Sequence, residues 1–119
     1  MSFKGVLEGM SRRLDGVLGA VVIGEDGIIV ERHAVDPTFD TELAGVEYVG
    51  SCKDIRRATE SLESGEVQEV AVVTEKTRMV LRNVSPGYYI ILVMGPGGSL
   101  GRGRFELKKA SYDLASEFL

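Results

Sequence analysis

The chain has 119 residues, enough for one hydrophobic core and too few for two comfortable ones. Its 44% apolar and 27% charged residues are those of a folded protein, and a formal net charge of -4 excludes a partner held by clustered Lys and Arg, so no nucleic acid is expected. A single Cys52 and a single His33 exclude an internal disulfide and any multi-cysteine or two-histidine metal motif, and no cofactor is expected.

At the N-terminus, Phe3, Val6, Leu7, Met10 and Leu14 fall at helical spacing and predict an amphipathic helix, α1, over residues 2–14. The opening MSFKGVLEGM alternates polar and apolar residues instead of forming a signal-peptide core, and no apolar run reaches the ~20 residues of a membrane span. A cytoplasmic protein without a membrane span is expected. Residues 17–23 are an unbroken apolar run, β1, and the turn residues Glu25, Asp26 and Gly27 lead into Ile28, Ile29 and Val30 of β2, so the two form a hairpin. Asp36 and Pro37 then break the pattern, and Thr38 or Asp40 caps a long helix, α2, from about residue 39 to residue 62, ended by Gly65.

Three more strands follow, β3 (67–74), β4 (78–84) and β5 (88–94), separated by the short turns Glu75-Lys76 and Ser85-Pro86-Gly87. Connections this short imply an antiparallel meander. A glycine-rich stretch leads to Ser99, after which Leu100, Gly103, Leu107, Ala110, Leu114 and Phe118 trace one narrow face of a last helix, α3. The order α-β-β-α-β-β-β-α is that of an α/β (α+β) sandwich. Strands apolar on both faces belong at a covered centre, and β1 and β5 are the most continuous such runs, so the expected strand order is 2-1-5-4-3 with helices on both faces.

That order leaves β3 at an edge, where Val70, Ala71, Val72 and Val73 carry no proline and no inward-pointing charge. An exposed apolar edge invites another strand, and pairing with a second copy satisfies it; protection by Glu69, Thr74 and neighbouring loops is the alternative. Along α2, Ala44, Tyr48, Cys52, Ile55 and Leu62 form one stripe and Leu43, Val46 and Val49 another. One stripe suffices for a sheet, so the second is expected at a homodimer contact, the alternative being a single wide core face. Further along, Lys53, Arg56, Arg57 and Glu60 make the outer side of α2 mixed but partly basic.

Little in the chain points to catalysis. There is no nucleophile elbow, zinc signature or Walker sequence, and Ser51, Cys52 and His33 are expected to be structural. Residues 95–104, GPGGSLGRGR, resemble an anion loop ahead of a helix, with Arg102 and Arg104 adding charge. Their glycine spacing fits neither phosphate-binding fingerprint, and a turn with close helix packing explains it. Any of Arg56, Arg57, Arg102 and Arg104 could be imagined as an arginine finger, but surface solvation is the expected role of each.

Residues 16–31, GVLGAVVIGEDGIIVE, and residues 99–118, SLGRGRFELKKASYDLASEF, resemble the first hairpin and the closing helix of the Roadblock/LC7 family. Within the family they look like the MglB-type regulators of MglA-like small GTPases. The resemblance spans nearly the whole chain and implies a single Roadblock/LC7 domain over residues 1–119, a five-stranded antiparallel sheet with α1 and α3 on one face and α2 on the other, and dimers in which β3 edges and α2 helices meet. It further implies a non-enzymatic regulator in cell-polarity signalling, one that accelerates GTP hydrolysis by reshaping the switch region of a Ras-like small GTPase without donating an arginine. On that reading Tyr48, Lys53, Arg56 and Arg57 face the GTPase. The alternatives are a scaffold subunit that docks a larger assembly, and a profilin-like small-ligand sensor using residues 95–104.

Overall fold

In the computed structural model, which describes residues 2–118, the hydroxyl of Ser2 accepts a hydrogen bond from the Gly5 amide (3.0 Å) and starts α1 (Phe3–Arg12). The chain continues through β1 (Val17–Gly24), β2 (Ile29–Ala34), α2 (Thr41–Ser61), β3 (Glu69–Val73), β4 (Arg78–Ser85), β5 (Tyr88–Met94) and α3 (Leu100–Ala115), with a short 3-10 turn over Ser116–Phe118. The element order is the expected one. Of the two expected caps for α2, Asp40 serves, accepting from the Leu43 amide at 3.0 Å, while Asp36 holds Thr38 in a separate turn. The β1–β2 loop extends to Ile28, whose carbonyl accepts from the Gly24 amide and whose own amide donates to Asp26, so β2 starts one residue later than its apolar run suggested.

The strands form one sheet in the order β2-β1-β5-β4-β3, and every neighbouring pair is antiparallel. Period-two alternation sorts the central strands onto two cores. Ala20 and Val22 of β1, Val80 and Val84 of β4, and Ile90, Leu92 and Met94 of β5 meet Val6, Leu7 and Met10 of α1 and Leu107, Ala110 and Leu114 of α3. Val21, Ile23, Met79, Leu81, Tyr89, Ile91 and Val93 meet Val49 and Cys52 of α2 on the other face. Each fully buried Leu or Ile contributes about 1.5–3 kcal/mol relative to exposure, so Leu107 and Leu114 are the side chains that anchor α3 to the sheet.

The stripe of α2 that meets the sheet is rotated from the expected one: Cys52, with Ala44 and Tyr48 partly buried, packs there as expected, but Val49 joins it. Thr41, Gly45, Val49 and Cys52 are the buried residues, with Val49 only 2% exposed, whereas Tyr48 and Ile55 sit on the flank and Leu62 is 75% exposed beyond the helix end. The cause is a pair of glycine notches. A Cβ on Gly19 of β1 would lie 2.1 Å from the Thr41 hydroxyl, and one on Gly45 would lie 3.0 Å from Val21, so the helix settles where both residues are bare. That rotation turns Val49 inward and removes it from the expected dimer stripe.

Candidate self-association and partner surfaces

The helix α2 packs over β1, β2 and β5, and α3 packs over β4 and β5, so no helix makes a substantial contact with β3. On the α2 side this leaves a cleft of about 110 Å³ walled by Tyr48, Ser51 and Ile55 of α2 and by Val70 and Val72 of β3, with Met79 and Leu81 at its floor. Its lining is almost wholly apolar. On the opposite side of the strand Ala71 is exposed and Val73 is 56% exposed. All four expected edge residues are therefore accessible in one copy of the chain.

The start of β3 is held differently. Glu69 accepts hydrogen bonds from Arg82 (3.2 Å) and Arg104 (2.8 Å), and although burial pushes its carboxyl up, the two guanidinium groups hold it below the usual carboxylate range. One charge in this strand thus faces its own arginines, and the apolar remainder of the edge has no such neighbour.

The four residues expected to face a partner do not converge. Lys53 and Arg57 are exposed on the outer side of α2, Arg57 paired with Asp54 one turn earlier, and the exposed Leu43 and Val46 share that side. Tyr48 belongs to the cleft beside β3. Arg56 is engaged within the molecule: its guanidinium lies 2.5 Å from Glu25 of the β1–β2 loop and 5.8 Å from the centre of the Tyr89 ring, an arrangement that raises its pKa further through the Glu25 hydrogen bond. Using Arg56 for a partner would break that bridge, so it is a poor finger.

Cys52 is buried beneath α2, and burial pushes its thiol up, which disfavours the thiolate that a nucleophile requires. Among the described residues no three His, Cys, Asp or Glu side chains gather as a metal site, and no helix is long and apolar enough to cross a membrane. Packing accounts for two glycines of the stretch: a Cβ on Gly98 would sit 2.8 Å from Met94, and one on Gly103 would sit 2.5 Å from the same side chain. Arg102 donates to the Arg13 carbonyl and Arg104 is bound to Glu69, so both cations answer to their own chain.

Sequence reasoning missed the outer side of α3, where Phe105 is 62% exposed and Tyr112 is 64% exposed. The signal was present. Both aromatics lie roughly 180° around the helix from the stripe of Gly103, Leu107, Ala110 and Leu114, and the search for that inner stripe passed over them.

No family model matches the chain, and no curated protein does. Solved structures match it along nearly its whole length. A Roadblock/LC7 domain from Streptomyces avermitilis superposes with a TM-score of 0.87 at 17% identity, covering 99% of this chain and 98% of that one. MglC from Myxococcus xanthus is 36% identical, covers 98% of this chain and 99% of its own, and has a TM-score of 0.71. The chain belongs to the Roadblock/LC7 family. Among Roadblock/LC7 proteins it also superposes on the gliding protein MglB from Thermus thermophilus, with a TM-score of 0.85 at 19% identity over 95% of this chain and 85% of that one. The backbone is thus nearer to MglB and the sequence nearer to MglC. Identity counts residues at matched positions and the TM-score counts backbone shape, so the two rankings need not agree.

Proposed function

We propose that this Roadblock/LC7 protein is a dimeric, non-enzymatic regulator of a Ras-like small GTPase, acting through protein–protein contact. The observation that carries the reading is the uncovered apolar cleft between α2 and β3, continuous with a strand edge that has no partner in one copy. A second copy presenting the same cleft and edge would cover both, which is the self-complementary contact of a two-fold dimer. In this proposal Tyr48, Ile55, Val70, Ala71, Val72 and Val73 form the self-contact. Leu43 and Val46, which point away from the sheet with Lys53 and Arg57, form the face offered to the GTPase, its apolar centre flanked by cations that steer an acidic switch region.

The test is phosphate release by an MglA-type GTPase with and without this protein. Stimulation that is lost in a Lys53→Glu, Arg57→Glu variant supports the activating role, and absence of both binding and stimulation removes the GTPase reading altogether. A second reading, a scaffold subunit that binds without altering turnover, draws on the engagement of Arg56 by Glu25 and Tyr89, which leaves the partly basic side of α2 one cation short. Binding at unchanged hydrolysis selects it.

A further inference from the structure

Glu60, Glu63 and Glu66 recur every third residue across the end of α2, and no basic residue stands in the last turn of that helix. Three carboxylates therefore gather at the negative end of the helix dipole, and among the described residues no cation pairs with any of them. They line a cavity of about 430 Å³ together with the buried Tyr89 and with Gly65 and Val67, which lead into β3. Arg56 lines it too, but Glu25 already holds that guanidinium, so the cavity keeps an excess of negative charge.

The cavity lies at the start of the open strand edge, and the backbone of β3 restricts how a second strand can meet that edge. The Thr74 amide donates to the Thr77 carbonyl and the Asn83 amide to the Gln68 carbonyl, so Thr74 and Gln68 turn their backbone groups toward the β4 side. Alternation then turns those of Glu69, Ala71 and Val73 to the open edge. An antiparallel second copy uses all three when the two-fold axis passes through Ala71, which sets Ala71 opposite Ala71 and Glu69 opposite Val73. Extended past the strand, that register sets Glu66 opposite Lys76 of the β3–β4 turn and Val67 opposite Glu75. Lys76 is exposed and makes no ion pair among the described residues. Moving the axis to Val70 or Val72 sets Lys76 opposite Ser64 or Gln68 and loses the match.

We propose that the acidic cavity receives Lys76 of a second copy, once on each side of the two-fold axis, and thereby fixes the register in which two β3 edges meet. This lock rests on the self-contact proposed above and adds its electrostatic half. A two-fold axis normal to the sheet keeps both α2 helices on the same side, and Lys76 shares the parity of Val70 and Val72, which face α2. The counter-charge that the cavity lacks within one copy is therefore carried by the turn that the second copy brings to it.

The experiment is sedimentation equilibrium of the full chain. Lys76→Glu and Glu66→Lys are each expected to weaken self-association by about tenfold or more, since one reversal turns two contacts of the dimer from attraction to repulsion. Glu66→Lys reduces the net charge of -4, so its loss does not come from general repulsion. An equimolar mixture of the two variants is expected to regain wild-type affinity, because the mixed dimer again sets a carboxylate against a cation at both contacts. Both positions are exposed, and unchanged thermal unfolding of each variant shows that the loss is local. Variants that dimerise as tightly as wild type, or a mixture no tighter than its components, overturn the lock. If the wild-type dimer is then still lost in Tyr48→Glu with Ile55→Glu, the self-contact stands without it. A wild type that is monomeric throughout removes both.

Discussion

Gly101 and Gly103 stand two residues apart in the first turn of α3, and their surroundings give the same substitution opposite signs. Nothing lies within 4 Å of where a Cβ on Gly101 would sit, so Gly101→Ala gains helix propensity and is expected to stabilise the protein by up to about 1 kcal/mol. A Cβ on Gly103 would press on Met94, which is fully buried and has nowhere to go. The clash outweighs the propensity gain, and Gly103→Ala is expected to cost about 1–3 kcal/mol. Urea denaturation of the two variants checks this, and equal shifts in the same direction would contradict the close packing of α3 on β5.

At the scale of elements, the relation of α2 to β3 decides whether one copy is complete. Placing charge in the cleft, as Tyr48→Glu with Ile55→Glu, is expected to convert a dimer into a folded monomer in sedimentation velocity, because two carboxylates would be buried against a mate with no cation to meet them. Val73→Lys blunts the edge on its other side and is expected to act in the same direction. Leu43→Ser, on the outer side of the helix, leaves self-association intact. A wild-type protein that sediments as a monomer, or a charged-cleft variant that remains dimeric, would remove the proposed self-contact.

Acid stability is a property of the whole molecule, since Glu69 and Glu106 join elements far apart in the chain. Burial raises both carboxyls, but Arg104 and Arg82 at Glu69, and Arg13 at Glu106, bring each below its ordinary value of 4.5. A group whose pKa is depressed by folding stabilises the protein above its unfolded value and loses that contribution as pH falls through the folded value. Stability is therefore expected to be insensitive to these two groups at neutral pH and to decline below about pH 4.5. Glu106→Gln is expected to be less stable than wild type at neutral pH and to narrow that gap in acid, as thermal unfolding across the pH range reads directly. Parallel curves would mean that the Arg13 pair, 2.8 Å long, contributes nothing.

Element order, strand order and the edge position of β3 were legible because they follow from local patterns. Apolar runs of period two or 3.6, turn residues, and the doubly apolar β1 and β5 each declare themselves within a few residues. The rotation of α2 was not, and with it went the placement of Val49, Tyr48 and Leu62. A hydrophobic stripe treats glycine as neutral, whereas the approach of α2 to β1 is set by the missing side chains of Gly19 and Gly45, which lie 26 residues apart in the chain. The bridge from Arg56 to Glu25 and the bond from Arg104 to Glu69 share this origin. Each depends on the distance between residues that only the packing of helix on sheet brings together.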